Sequence, residues 1–150
     1  MLATAVSFTT LLLAALTAGG MFGIWLGMDP RGLAAAAYVA QQQRSIRAMN
    51  VAMPVLGAVT TLATVVDAYD VRGEPARCAL LLASAACFLI AGAVTRWLNQ
   101  PINALVMTWP VQAPPPGWER LRDAWWRWHV LRTASAVAGL CLSIAATVRT

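Results

Sequence analysis

Between Asn99 and Thr133 the sequence gathers five of its seven tryptophans, four arginines and its only histidine, in a chain otherwise rich in alanine, leucine and valine. His129 is the one side chain there that ordinarily titrates near neutrality, and a neutral imidazole can act as a base. Asn99 and Asn103 are four apart, so on a helical turn they project from one face. Two carboxamides can donate to and accept from a carbonyl or phenol without carrying charge. Arg132 is either an anion-binding guanidinium or a cation that snorkels to the membrane surface. Trp118 and Trp125 suit a ligand wall, because an indole stacks on flat apolar molecules while its N–H stays available. Structural alternatives stand beside each reading. The asparagines can brace their turn, the histidine can fill a core, and tryptophans can form an interfacial belt, the reading that suits Trp126 and Trp128.

Spacing ties these residues together. After Pro114-Pro115-Pro116, a rigid spacer, a helical pattern starts at Gly117-Trp118 and runs into the last apolar segment. Along it Trp118, Arg122, Trp125, His129 and Arg132 recur at steps of four, three, four and three and share one stripe. The stripe continues as Ala136, Gly139 and Ser143, small residues suited to a bundle interior, so the polar group should face inward. Glu119, Asp123 and Trp126 lean to the flanks, where Glu119 can pair with Arg122 and Asp123 with Arg127. Earlier in the chain Gln43, Arg47 and Asn50 share a face at i, i+4 and i+7, as a solvated surface or as a further wall of the site. The sequence has no HxxxH or CxxC pair, no Gly-rich phosphate loop and no nucleophile elbow. A complete metal site from one chain is not expected. With one histidine, bis-histidine haem from one chain is not expected either, whereas a haem held by a single histidine, or a group completed across subunits, is compatible with the residues.

The elements that must position this group are membrane helices. The chain has 150 residues, 59% of them hydrophobic and 11% charged, with mean hydropathy +0.63. A bilayer span needs roughly 20 predominantly apolar residues, and four windows qualify, at about 3–28, 51–69, 77–97 and 130–148. The expectation is all-α: a single integral membrane domain over 1–150, a four-transmembrane-helix bundle with an extended fourth helix and a short interfacial helix before the second span. The net charge of +5 does not mark a nucleic-acid surface, because the arginines sit beside span ends. By the positive-inside rule, Arg31, Arg44 and Arg47 place the first loop in the cytoplasm. Arg96, Arg120, Arg122, Arg127 and Arg132 do the same for the third, leaving both termini outside a bacterial-type inner membrane. The first span lacks a basic leader region and is too long for a signal peptide, so it reads as a retained helix. Gly19, Gly23 and Gly27 give it a small-residue seam that fits either a neighbour in the bundle or a second copy. Asp29-Pro30 should end it, and Pro54 should kink the second span. Cys78, Cys87 and Cys141 read as unpaired residues within spans.

The run Gln41-Gln42-Gln43…Ile46-Arg47-Ala48-Met49-Asn50…Pro54, then Asn99-Gln-Pro-Ile-Asn103…Trp109, then Trp118…Leu121-Arg122…Trp125-Trp126…His129…Arg132-Thr133 resembles the DUF1772 family of small four-helix membrane proteins. That family includes the anthrone oxygenases of polyketide pathways, and the resemblance spans nearly the whole chain. It implies an oxygenase that converts an anthrone to an anthraquinone with O2 as co-substrate and without a recognised metal, flavin or haem. Under it, His129 is the base, and Asn99, Asn103 and Arg132 donate to the enolate or peroxide. Trp109, Trp118 and Trp125 hold the flat rings and Arg122 stands at the rim, while a lipophilic substrate arrives from the bilayer. The rival expectation is a non-catalytic membrane module that binds a lipophile or a partner subunit through the same Trp/Arg/Asn layer.

Overall fold

The computed structural model describes residues 2–148 as α1 (Leu2–Gly27), α2 (Ala35–Met49), α3 (Ala52–Asp70), α4 (Pro75–Val94), a π-helical segment (Thr95–Asn99), α5 (Gln100–Val106) and α6 (Trp118–Val148). No strand occurs among the described residues. Four helical stretches are long and apolar enough to cross a membrane, at Thr4–Gly27, Ala52–Asp70, Pro75–Val106 and Trp118–Val148. The chain is thus an integral membrane protein by the length and composition of its helices. As expected, the fourth spanning helix is extended, and the 15-residue α2 precedes the second span.

Two boundaries differ from expectation. The third helix does not stop at Trp97. One extra residue per turn over Thr95–Asn99 lets it pass through a π segment and continue as α5 to Val106. Pro54 does not kink a span either: α3 begins at Ala52, so the proline lies in its first turn, where a missing N–H costs little. The helical run breaks just before it, at Asn50 and Val51 between α2 and α3.

The spanning helices pack as α1 against α3 and α6, and α4 against α3 and α6. Small residues and hydroxyls make these seams. Thr17 and Thr60 hydroxyls meet at 2.7 Å between α1 and α3. Ser84 lies 2.8 Å from Ser143 and donates to the Gly139 carbonyl at 2.7 Å, joining α4 to α6. A Cβ at Gly139 would stand 3.0 Å from the Phe88 ring and 3.3 Å from Cys87 Cβ, so any larger residue there makes Phe88 or α4 give way. Gly19, Gly23 and Gly27 instead look away from the bundle, with no atom within 4 Å of an added Cβ. Within the bundle, therefore, they seam nothing.

A separate layer covers one end. Tyr38, Val39 and Ile46 of α2 pack with Ile102 and Val106 of α5, with Trp109, and with Trp125 and Trp126 of α6. Gly117, at φ +80°, turns the chain out of the proline spacer into α6 in a conformation that glycine adopts without strain. This cap and the bundle beneath it enclose the candidate site.

Candidate functional site

The α6 stripe faces inward: Trp125, His129, Ala136, Gly139 and Ser143 are buried, while Trp118, Arg122 and Arg132 are partly so. Trp126 departs from the flank position expected for it. It is 5% exposed and its ring lies 5.6 Å from that of His129, so it belongs to the cap core and not to a belt. Trp125 also stacks on the imidazole, 5.2 Å away and 3° from parallel, and the two indoles lie 6.5 Å apart, so the three rings form a triangular cluster.

Around these rings the polar groups form a network of two hydrogen-bonded parts, one centred on Arg132 and one on Asn103, that meet only through the contact of the Trp125 and His129 rings. Arg132 donates Nε–H and Nη2–H to His129 Nδ1, at 3.1 and 2.9 Å. Its Nη1 donates to Thr95 Oγ1 at 3.2 Å, and the Thr95 hydroxyl donates in turn to the Ala91 carbonyl. Because Nδ1 accepts from a guanidinium that has no acceptor of its own, the imidazole is neutral with its proton on Nε2, beside the Thr133 hydroxyl 3.5 Å away. Trp125 Nε1 donates to Asn103 Oδ1 at 2.8 Å, and Asn103 Nδ2 donates to Asn50 Oδ1 at 2.9 Å. Asn99 is fully buried and donates to the Trp125 carbonyl at 3.0 Å. Its Oδ1 meets no donor among the described residues. The π segment makes this possible by turning Thr95 and Asn99 together toward α6.

Two cavities adjoin the network. A cavity of about 580 Å³, within the range of small-molecule pockets, lies between α3 and α4, walled by Gly57, Leu62, Leu89 and Gly92 among mostly apolar residues. Leu62 and Leu89 are also strongly exposed on the outer surface, which gives this cavity a lipid-facing side. A chamber of about 50 Å³ lies under α2, lined by Gln41, Gln42, Ser45, Asn50, Asn103 and Trp125 among others. Arg132, Thr95, Met21 and Met53 line both.

The candidate residues thus separate by position. Arg132, Asn103, Asn50 and Trp125 reach a cavity. His129 is 0% exposed and lines neither. Gln43 donates to the Val106 and Trp109 carbonyls at 3.0 and 2.9 Å and so fastens α2 to the end of α5. Arg47 is exposed and only reaches back to Gln43 at 3.5 Å. Trp109 is packed in the cap core. Trp118 stacks on Tyr38 at 5.2 Å, and Arg122 lies over the Trp118 ring at 5.0 Å. Arg122 pairs with Asp123 at 2.9 Å, which replaces both ion pairs expected on that helix. Tyr38 is itself fully buried with its hydroxyl unpartnered, and burial pushes its phenol up to about 12.

Sequence reasoning missed Thr95 and Gln42. Thr95 had a signal, since Thr95, Asn99 and Asn103 recur every four residues, but its face depends on the π segment. Among the described residues no group of three or more His, Cys, Asp or Glu side chains is placed to hold a metal ion.

Searches among curated proteins and among solved structures return no match. The family model described as anthrone oxygenase matches residues 43–142, a stretch that contains α3, α4, the π segment, α5 and the α6 stripe through Arg132. With well over half of its length matched, including the whole hydrogen-bonded network, the chain belongs to the anthrone oxygenase family.

Proposed function

We propose that this membrane protein oxidises a flat, lipophilic, anthrone-like phenol with O2, using no resident cofactor. The observation that carries the reading is Arg132. Its guanidinium stands where a large apolar cavity meets a small chamber of mixed polar and apolar lining, and it is held by a neutral imidazole and a hydroxyl. No carboxylate among the described residues pairs with it. A cation inside a bilayer protein is costly without a counter-charge, and an oxyanion formed on a bound ring supplies one.

The chemistry follows from the substrate's own electrons. With the ring carbonyl against Arg132, loss of a C–H proton to water leaves an enolate whose charge the guanidinium stabilises. The carbanion's electron pair reduces O2, a C–O bond forms, and the peroxide takes up a proton. Loss of the second C–H proton breaks the O–O bond, creates the new carbonyl and releases hydroxide, which is protonated to water. Anthrone plus O2 gives anthraquinone plus water, so the balance needs no external reductant. The apolar walls keep bulk water from the carbanion. In this reading Arg132 touches the substrate and His129 is a positioning residue. Because Nδ1 is already an acceptor and the ring reaches no cavity, a direct role as base has less support. For the same reason no step runs through a histidine-bound haem. The arginine-rich first and third loops would face the cytoplasm, with the wide cavity open to lipid.

The test is O2 consumption and quinone formation by the detergent-purified protein with a model anthrone, against an enzyme-free control because anthrones autoxidise. Wild-type turnover should exceed background, and Arg132→Met should lose roughly 10²–10³ of it, the range for removal of an oxyanion donor. A folded wild-type preparation that binds the anthrone but oxidises it at the background rate would instead be the non-catalytic lipophile-binding module.

A further inference from the structure

The small chamber holds a side chain that the ring site does not explain. Gln42 is 5% exposed, lines the chamber, and has no hydrogen-bond partner for its carboxamide among the described residues. Its carboxamide atoms keep accessible surface in that space, where a bound water can pair with them. Ser45, Asn50 and Asn103 line the same space beside Met21, Ile24, Met49 and Met53, so its wall mixes polar and apolar groups. About 50 Å³ is too little for an aromatic ring, while a water needs roughly 10–15 Å³ by such a measure. From buried Gln42 the chamber leads along α2 to half-buried Gln41 and Ser45, beside exposed Arg44.

We propose that this chamber is the aqueous side of the site: a short file of water that accepts the C–H protons at Arg132 and lets product water leave along α2. The proposal rests on the oxygenase reading for its role, though not for the water itself. It divides the site by phase. The ring occupies the lipid-facing cavity between α3 and α4, protons and water move on the α2 side, and Arg132 with Thr95 stands at the junction. Each proton lost from carbon passes to a chamber water, whose lone pair forms the new O–H bond. The hydroxide released on O–O cleavage is protonated by the same file and exits as water.

Two measurements test it. In micelles, NMR exchange spectroscopy on the full chain should show transfer from water to the Trp125 Nε1–H, which borders the chamber, and Gln42→Leu should weaken it. In steady-state oxidation of the model anthrone, Gln42→Leu should lower kcat roughly tenfold, below the ~10²–10⁴ of a directly acting base because water is rerouted and not removed. KM should stay within about twofold and the solvent deuterium isotope effect on kcat should rise, since the ring cavity is untouched. Gln42→Glu, which still binds water, should recover most of the rate. Absence of water exchange at Trp125 in the wild type overturns the proposal whether or not the protein turns over. Exchange with unchanged kcat and isotope effect in Gln42→Leu overturns the proton role. A faster Gln42→Leu enzyme would make the chamber a dioxygen pocket and overturn it as well. Wild-type protein without turnover removes the oxygenase reading and leaves the water file to the NMR result.

Discussion

At Arg132 three N–H groups are committed to His129 and Thr95, and a guanidinium carries five, so two remain for a ligand. That arithmetic separates the two roles open to His129. If the imidazole only holds Arg132, any acceptor of similar reach can replace it. His129→Gln should then keep kcat within about tenfold of wild type and leave the pH profile of kcat/KM in place. His129→Ala, with no acceptor, should lose more. If the imidazole takes the substrate proton, both variants should fall by ~10²–10⁴ and the limb of the profile that reports the base should disappear. Initial rates from pH 5 to 9 on the three proteins decide it. The shared inward face of Trp125 and His129 on α6 was legible in the sequence because rare polar and aromatic types stand out in an apolar chain and the stripe is strictly helical. Roles were less legible. The clustering of the His129 ring with those of Trp125 and Trp126, and the turn of Arg132 back onto Nδ1, depend on rotamers that spacing alone does not determine.

Helices repeat the same lesson at the next scale. Four spans and the extended α6 could be read from apolar length, whereas the passage of the third helix through Thr95–Asn99 could not, since a π segment shows no change in composition. Close packing was visible only as a list of small residues, and the structure sorts them by partner. Gly139 takes part in the α4–α6 seam, while Gly19, Gly23 and Gly27 touch nothing in the bundle. Gly139→Leu must therefore push against Phe88 and Cys87 and strain the Ser84 bond to its carbonyl. Overpacking of this kind costs roughly 1–3 kcal/mol, so a thermal melt in detergent should show a clear fall in midpoint. Gly23→Leu, with open space around it, should leave the midpoint unchanged. Equal melts for the two would mean that α4 and α6 yield without cost. The Thr95 anchor makes a separate prediction. Thr95→Val removes the acceptor for Arg132 Nη1 but keeps the shape, so it should lower kcat by about the tenfold expected of one lost hydrogen bond to a charged group while leaving the melt intact.

For the whole molecule the question is how a flat lipophile reaches Arg132, and two glycines offer a way to ask it. Gly57 of α3 and Gly92 of α4 both line the large cavity, and an added Cβ at either would meet no atom within 4 Å. A large side chain placed there has the empty cavity to occupy, unlike one at Gly139, so stability and admission of substrate can be separated. Gly92→Phe and Gly57→Phe should melt within a few degrees of wild type. Their kcat/KM for the model anthrone should fall at least tenfold, mainly through KM, because the blocked volume serves binding before chemistry. Bulk added on the outer face of α1, at Gly23, should change neither quantity, since that face borders no part of the site. Unaltered kinetics in both phenylalanine variants would mean that the ring does not lie between α3 and α4, and the lipid-side half of the arrangement would have to be abandoned. A loss confined to Gly92→Phe would place the ring against the turn that leads into Thr95, nearest the guanidinium.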